Sequence, residues 1–124
     1  MSATSTDTPA GLVFQHRPNP APISGMRRAE ILAEPGFGRH FTDHMARVTW
    51  TAADGWHDAR VESYGPLHLD PSAAVLHYGQ EIFEGMKAYR HEDGSIWTFR
   101  PEENAKRMAR SSHRLAFPVL EPDD

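Results

Sequence analysis

Cysteine is absent from all 124 residues, which excludes a disulfide framework and a thiolate metal site and is compatible with a reducing cytoplasm. No apolar run approaches the roughly 18 residues of a membrane span. The opening Met-Ser-Ala-Thr-Ser-Thr-Asp lacks the basic and apolar regions of a secretory signal. A soluble cytoplasmic protein without a membrane partner is the expectation. Basic charge is sparse and scattered, 13 Lys and Arg against 17 Asp and Glu for a net charge of −4. The footprint of a nucleic-acid binder is therefore missing. Ser111-Ser112-His113 has no companion acid and the chain no Gly-x-Ser-x-Gly elbow, so serine-hydrolase chemistry has no support. The 8 histidines stand at 16, 40, 44, 57, 68, 77, 91 and 113. Only His40 and His44 have i,i+4 spacing, in a segment that reads as loop and strand, and no metal centre is expected.

What is present has room for one domain at most. Residues 1–36 read as an irregular N-terminal arm, because Ser, Thr, Pro and Asn dominate 4–22 and Phe14 is the one Phe, Tyr or Trp before Pro35. A short helix over Arg27–Ala33 ends at Pro35-Gly36. His44–Thr51 and Trp56–Ser63, joined by Ala52-Ala53-Asp54-Gly55, carry the signal of a β-hairpin. Asp70-Pro71-Ser72 matches a helix start, with Asp70 at N-cap and proline at N1, followed by a short helix over Ala73–His77.

Residues 82–90 alternate as a strand, Ile82, Glu84, Met86 and Ala88 on one face and Phe83, Gly85, Lys87 and Tyr89 on the other. His91-Glu92-Asp93-Gly94 turns this strand into Ser95–Arg100. Pro101-Glu102-Glu103 then opens the strongest helix, with Ala105, Met108, Ala109, Ser112, Leu115 and Ala116 on a core face and an end near Phe117. The expected class is α+β, an antiparallel sheet with hairpins and flanking helices.

Leu76-His77-Tyr78-Gly79-Gln80-Glu81-Ile82-Phe83-Glu84-Gly85-Met86-Lys87-Ala88-Tyr89, then Phe99-Arg100-Pro101, then Asn104, Arg107-Met108 and Ser111 follow in one order and spacing. This series resembles the small domain of branched-chain amino-acid aminotransferases, of the fold class shared with D-amino-acid aminotransferase and aminodeoxychorismate lyase. The resemblance implies a partial small domain over residues 37–118 and a tail over 119–124. It implies transamination of leucine, isoleucine and valine with 2-oxoglutarate, the cofactor pyridoxal 5'-phosphate, and a homodimer in the full-length form. The family's Schiff-base lysine belongs to a larger second domain without a counterpart here. Lys87 and Lys106 are the two lysines of the chain, and neither matches it, so the isolated chain is expected to be inactive.

By the same resemblance Arg100 contacts the cofactor phosphate, a task suited to a permanently charged, multi-donor guanidinium. The competing role is an ion pair with Glu103. Phe83 and Tyr78 match aromatic residues lining the substrate pocket, Tyr78 across a dimer interface, where core packing is the alternative. Gly85 marks close backbone approach to cofactor or substrate, or a bulge. Glu84 is left without a catalytic role, since a lone strand carboxylate is more often solvated or paired, and Lys87 reads as a solvated charge. Two other functions stay open: a noncatalytic dimerisation module, and another enzyme of the same fold class.

Overall fold

The computed structural model describes residues 11–122, which divide after His68 into two compact units. In the first, β2 (His44–Thr51) and β3 (Gly55–Ser63) form the expected antiparallel hairpin. Its turn is tied by the Asp54 N–H donating to Thr51 Oγ1 at 3.1 Å, and Trp50 faces Trp56 in register. The pairing shifts between Arg47 and Thr49, close to Asp58, whose φ of 53° is left-handed. Such a kink is what an extra residue in one strand of a ladder produces.

Residues 1–10 of the arm lie outside the described residues; residues 11–36 are more ordered than their composition suggested. Gln15–His16 forms β1, which pairs in parallel with Arg60 and Val61 of β3. The Arg17 N–H continues the ladder to the Val61 carbonyl at 2.8 Å. Asn19 Nδ2 donates to the Asp43 carbonyl at 3.0 Å and its N–H to His44 Nε2 at 2.8 Å. α1 (Gly25–Ala33) starts from Ser24, whose hydroxyl accepts the Arg27 N–H at 3.2 Å, as an N-cap serine does. Asp43 then holds the start of this helix, accepting the Ile23 N–H at 3.0 Å and Arg28 at 2.5 Å.

In the second unit α2 (Ala74–Tyr78) lies one residue later than expected, and its N-cap is Ala73, without a side-chain cap. Asp70 is not its N-cap, because Asp70 Oδ1 accepts both the N–H of Ser72 at 2.8 Å and its hydroxyl at 2.6 Å. Local turns of this kind compete with helix capping. Gly79 closes α2 at φ 58°, ψ 34°, a left-handed cap that glycine takes without a Cβ penalty.

The strand expected over residues 82–90 shrinks to β4 (Ala88–Arg90), paired with β5 (Ile96–Thr98) in place of Ser95–Arg100. Residues 79–87 have no regular structure. Within them Glu84 is instead bound by the helix that follows, α3 (Pro101–Arg114). That helix carries Glu102 and Glu103 in its first turn as expected, but its apolar face is not a core: Met108 and Leu115 stay partly exposed and Ser112 is its one buried residue.

Mixed helices and largely antiparallel strands make the chain α+β. Burial is slight. Among the described residues Ala59 is the one buried apolar side chain.

Candidate functional site

The second unit carries all four candidate residues. Arg100 sits at the N-cap of α3 with φ 48° and ψ 55°, and its side chain makes no capping hydrogen bond. A left-handed backbone costs a non-glycine residue roughly 1–2 kcal/mol. The side chain is 61% exposed, and its guanidinium reaches Glu103 at 3.7 Å and Glu102 at 4.0 Å. The ion pair with Glu103 weighed from the sequence is thus present, though long. Glu103 spends its better geometry on Lys106 at 3.1 Å. That hydrogen bond, with help from the charges of Arg100 and Arg110, holds its carboxyl below the usual range.

Phe83 is 89% exposed and, with Ile82, faces α3 across a shallow cavity of about 390 Å³ lined also by Arg107, Arg110, Arg114 and Leu115. Gly85 follows in the same irregular segment. A Cβ built on it would lie 3.4 Å from Phe83 Cζ, an ordinary contact, so nothing among the described residues demands glycine there. Tyr78 ends α2, 86% exposed, with its ring 6.4 Å from that of His77 in an edge-on arrangement. The structure therefore brings Phe83 and Gly85 together. No hydrogen bond, ion pair or ring contact joins Arg100 or Tyr78 to either among the described residues.

Asn104 and Arg107, which the sequence offered only as members of the family series and with no role, hold this segment. Glu84, 13% exposed at its side chain, is gripped by Arg107 from both sides: Nε donates to Oε2 at 2.7 Å and Nη2 donates to Oε1. Asn104 Nδ2 donates to Glu84 Oε1 at 2.9 Å and to the Gly85 carbonyl at 2.8 Å, one contact for each of its two hydrogens. The Gly85 N–H adds a bond to Oε1 at 3.0 Å. Arg107 first of all, with Asn104 and the Gly85 N–H, outweighs desolvation and pulls the Glu84 carboxyl from 4.5 to about 2. The pairing in turn raises Arg107. At neutral pH Glu84 is an ionised carboxylate paired with Arg107. Asn104 and Arg107 lie 20 and 23 residues from Glu84, a separation at which no local spacing rule signals a contact.

The first unit has a larger concavity, about 670 Å³, between α1 and residues 40–44, lined by Ile31, Leu32 and Phe41 among others. It contains none of the candidates. No group of three or more His, Cys, Asp or Glu among the described residues could hold a metal ion. No helix among them is long and apolar enough to cross a membrane.

No family model matches the chain. Curated proteins do. The chain is 58% identical over 107 residues to a probable branched-chain-amino-acid aminotransferase of Streptomyces coelicolor, covering 86% of this chain and 30% of that protein. It is 57% identical over 109 residues to the branched-chain-amino-acid aminotransferase of Mycolicibacterium smegmatis, covering 88% and 30%. The cytosolic enzyme of the same name from Saccharomyces cerevisiae is 46% identical over 110 residues, covering 89% and 27%. The chain thus spans about 30% of the length of the curated relatives it matches.

Proposed function

We propose that this chain, a homologue of the branched-chain-amino-acid aminotransferases over 86% of its length, supplies one wall of a pyridoxal-phosphate-dependent amino-transfer site and does not complete that site by itself. The reaction is amino transfer between leucine, isoleucine or valine and 2-oxoglutarate, in the cytoplasm and in a homodimer. Residues 37–118 act as a portion of the enzyme's small domain.

The observation that carries the reading is Arg100. Its backbone is held in a costly conformation while its side chain caps nothing and makes only long, exposed ion pairs. Strain kept without local return is a reason to look for a ligand. A guanidinium held this way suits the phosphate of the cofactor. The other end of the cofactor has no equivalent support, since Lys106 is paired with Glu103 and Lys87 lies in the Glu84–Gly85 segment. The fit extends to the phosphate and no further. When bound, pyridoxal phosphate supplies the electron sink for amino transfer.

In this reading Phe83 and Tyr78 offer apolar surface to a branched side chain, and Gly85 lets the backbone come close. The exposed apolar side chains, Phe83 and Tyr78 among them, favour a chain that works against further polypeptide.

A chimera tests the proposal: residues 37–118 replace the matching part of the Streptomyces coelicolor enzyme. Transamination of leucine with 2-oxoglutarate is expected, with weaker retention of pyridoxal phosphate in the Arg100→Ala version. A folded chimera that retains the cofactor equally with and without Arg100, or that uses only other amino acids, overturns it. The 124-residue chain alone is expected to show no transamination.

A further inference from the structure

We infer that Asn104 and Arg107 are positioning residues, which act through Glu84 and the Gly85 carbonyl to fix Phe83 and Gly85 against α3. The inference rests on the reading of Phe83 and Gly85 as ligand-facing. Residues 79–87 lack regular structure, so no ladder of backbone hydrogen bonds fixes their course. Phe83 is too exposed to be held by packing. The long-range bonds of this stretch run from Glu84 and the Gly85 carbonyl to Asn104 and Arg107.

The chemistry of the clamp is directional. Arg107 presents a rigid fork to both carboxylate oxygens, which fixes the plane of the Glu84 carboxyl as well as its distance. Asn104 links that carboxyl to the Gly85 peptide through one nitrogen. The side chain of residue 84 and the carbonyl of residue 85 are thereby referred to successive turns of the same helix. With both fixed, the intervening peptide is fixed, and with it the approach of the Phe83 ring to Gly85. Lysine at 107 would keep the charge and lose the fork, so charge alone should not restore the geometry.

Nuclear magnetic resonance on the 124-residue chain tests this, with Arg107→Met, Arg107→Lys and Asn104→Ala compared with the parent. Backbone shifts of α3 report whether the helix is intact. Gly85 amide exchange and contacts between the Phe83 ring and Gly85 report the geometry of the segment. The expected result is an unchanged α3, loss of the Phe83–Gly85 contacts in Arg107→Met and Asn104→Ala, and Gly85 exchange roughly five- to tenfold faster, the factor for loss of an ordinary hydrogen bond. Arg107→Lys should restore less than half of the change.

Phe83 and Gly85 signals that stay in place while α3 is intact overturn the inference, as does full restoration by lysine. If Arg107→Met melts α3, Asn104→Ala, which removes no charge, decides the matter; melting of α3 in both variants also overturns it. Titrating the parent with 4-methyl-2-oxopentanoate tests the underlying reading separately. A clamp that behaves as expected beside an oxo acid that shifts neither Phe83 nor Gly85 leaves the positioning role standing and counts against the substrate wall.

Discussion

Replacing Arg100 by alanine and by glycine separates the cost of its backbone from the use of its side chain. Both replacements delete the guanidinium and its long contacts to Glu102 and Glu103, so the pair differ only in the presence of a Cβ at φ 48°. Within a helix alanine is favoured over glycine by about 1 kcal/mol. At a left-handed position the order reverses, because the Cβ costs roughly 1–2 kcal/mol and glycine's greater freedom in the unfolded chain returns only part of it. The glycine variant should therefore hold α3 more firmly than the alanine variant by about 0.5–1 kcal/mol, a two- to fivefold difference in local opening. Amide exchange across α3, in particular at Glu103, whose N–H donates to the Arg100 carbonyl at 3.0 Å, is the assay. Equal exchange in the two variants, or slower exchange with alanine, would refute the claim that strain is stored at this residue. Arg100 would then hold no strain that points to an anion ligand.

Gly85→Ala should leave α3 and the Phe83 ring in place, since the added methyl meets the ring at an ordinary 3.4 Å, yet weaken cofactor retention in the chimera; chemical shifts and retained pyridoxal phosphate check the two halves. Glu84, depressed from 4.5 to about 2, should contribute its full stabilisation above pH 4.5 and lose it as pH falls through about 2, seen as late acid release of the Gly85 signal. In Arg107→Met that release should move up towards the ordinary carboxylate range. Asp43, held low chiefly by the Ile23 N–H and then by Arg28, anchors α1. Asp43→Asn should speed exchange at Ile23 and Arg28 without disturbing the β2–β3 register, and equal exchange at Ile23 would count against that anchor.

The parts of the fold legible in the sequence are those whose signals are local. Alternation around Ala52-Ala53-Asp54-Gly55 located β2 and β3 within a residue, and Pro101-Glu102-Glu103 marked the start of α3. β1 was not legible, because Gln15 and His16 join β3 through backbone groups that any residue carries. Asp70 shows how one side chain can serve two local motifs, the turn with Ser72 having displaced the helix cap. The alternation from Ile82 to Tyr89 is real as a pattern, but Glu84 finds its partner in a helix and the ladder forms only over Ala88–Arg90. Among the candidates, Phe83 and Gly85 came from motif likeness. The grip of Asn104 and Arg107 on that segment needed the three-dimensional course of the chain.

With Ala59 the one buried apolar side chain among the described residues, the thermal behaviour of the chain follows. The heat-capacity step of unfolding reflects apolar surface newly exposed to water, and ordinary domains show about 1.2–1.5 kcal/mol/K per 100 residues. Here several large apolar side chains, Phe37, Tyr78 and Phe83 among them, already meet solvent in the folded form. Calorimetry should show a step smaller than that of an ordinary domain and a broad transition, and a full-sized step would count against so slight a core.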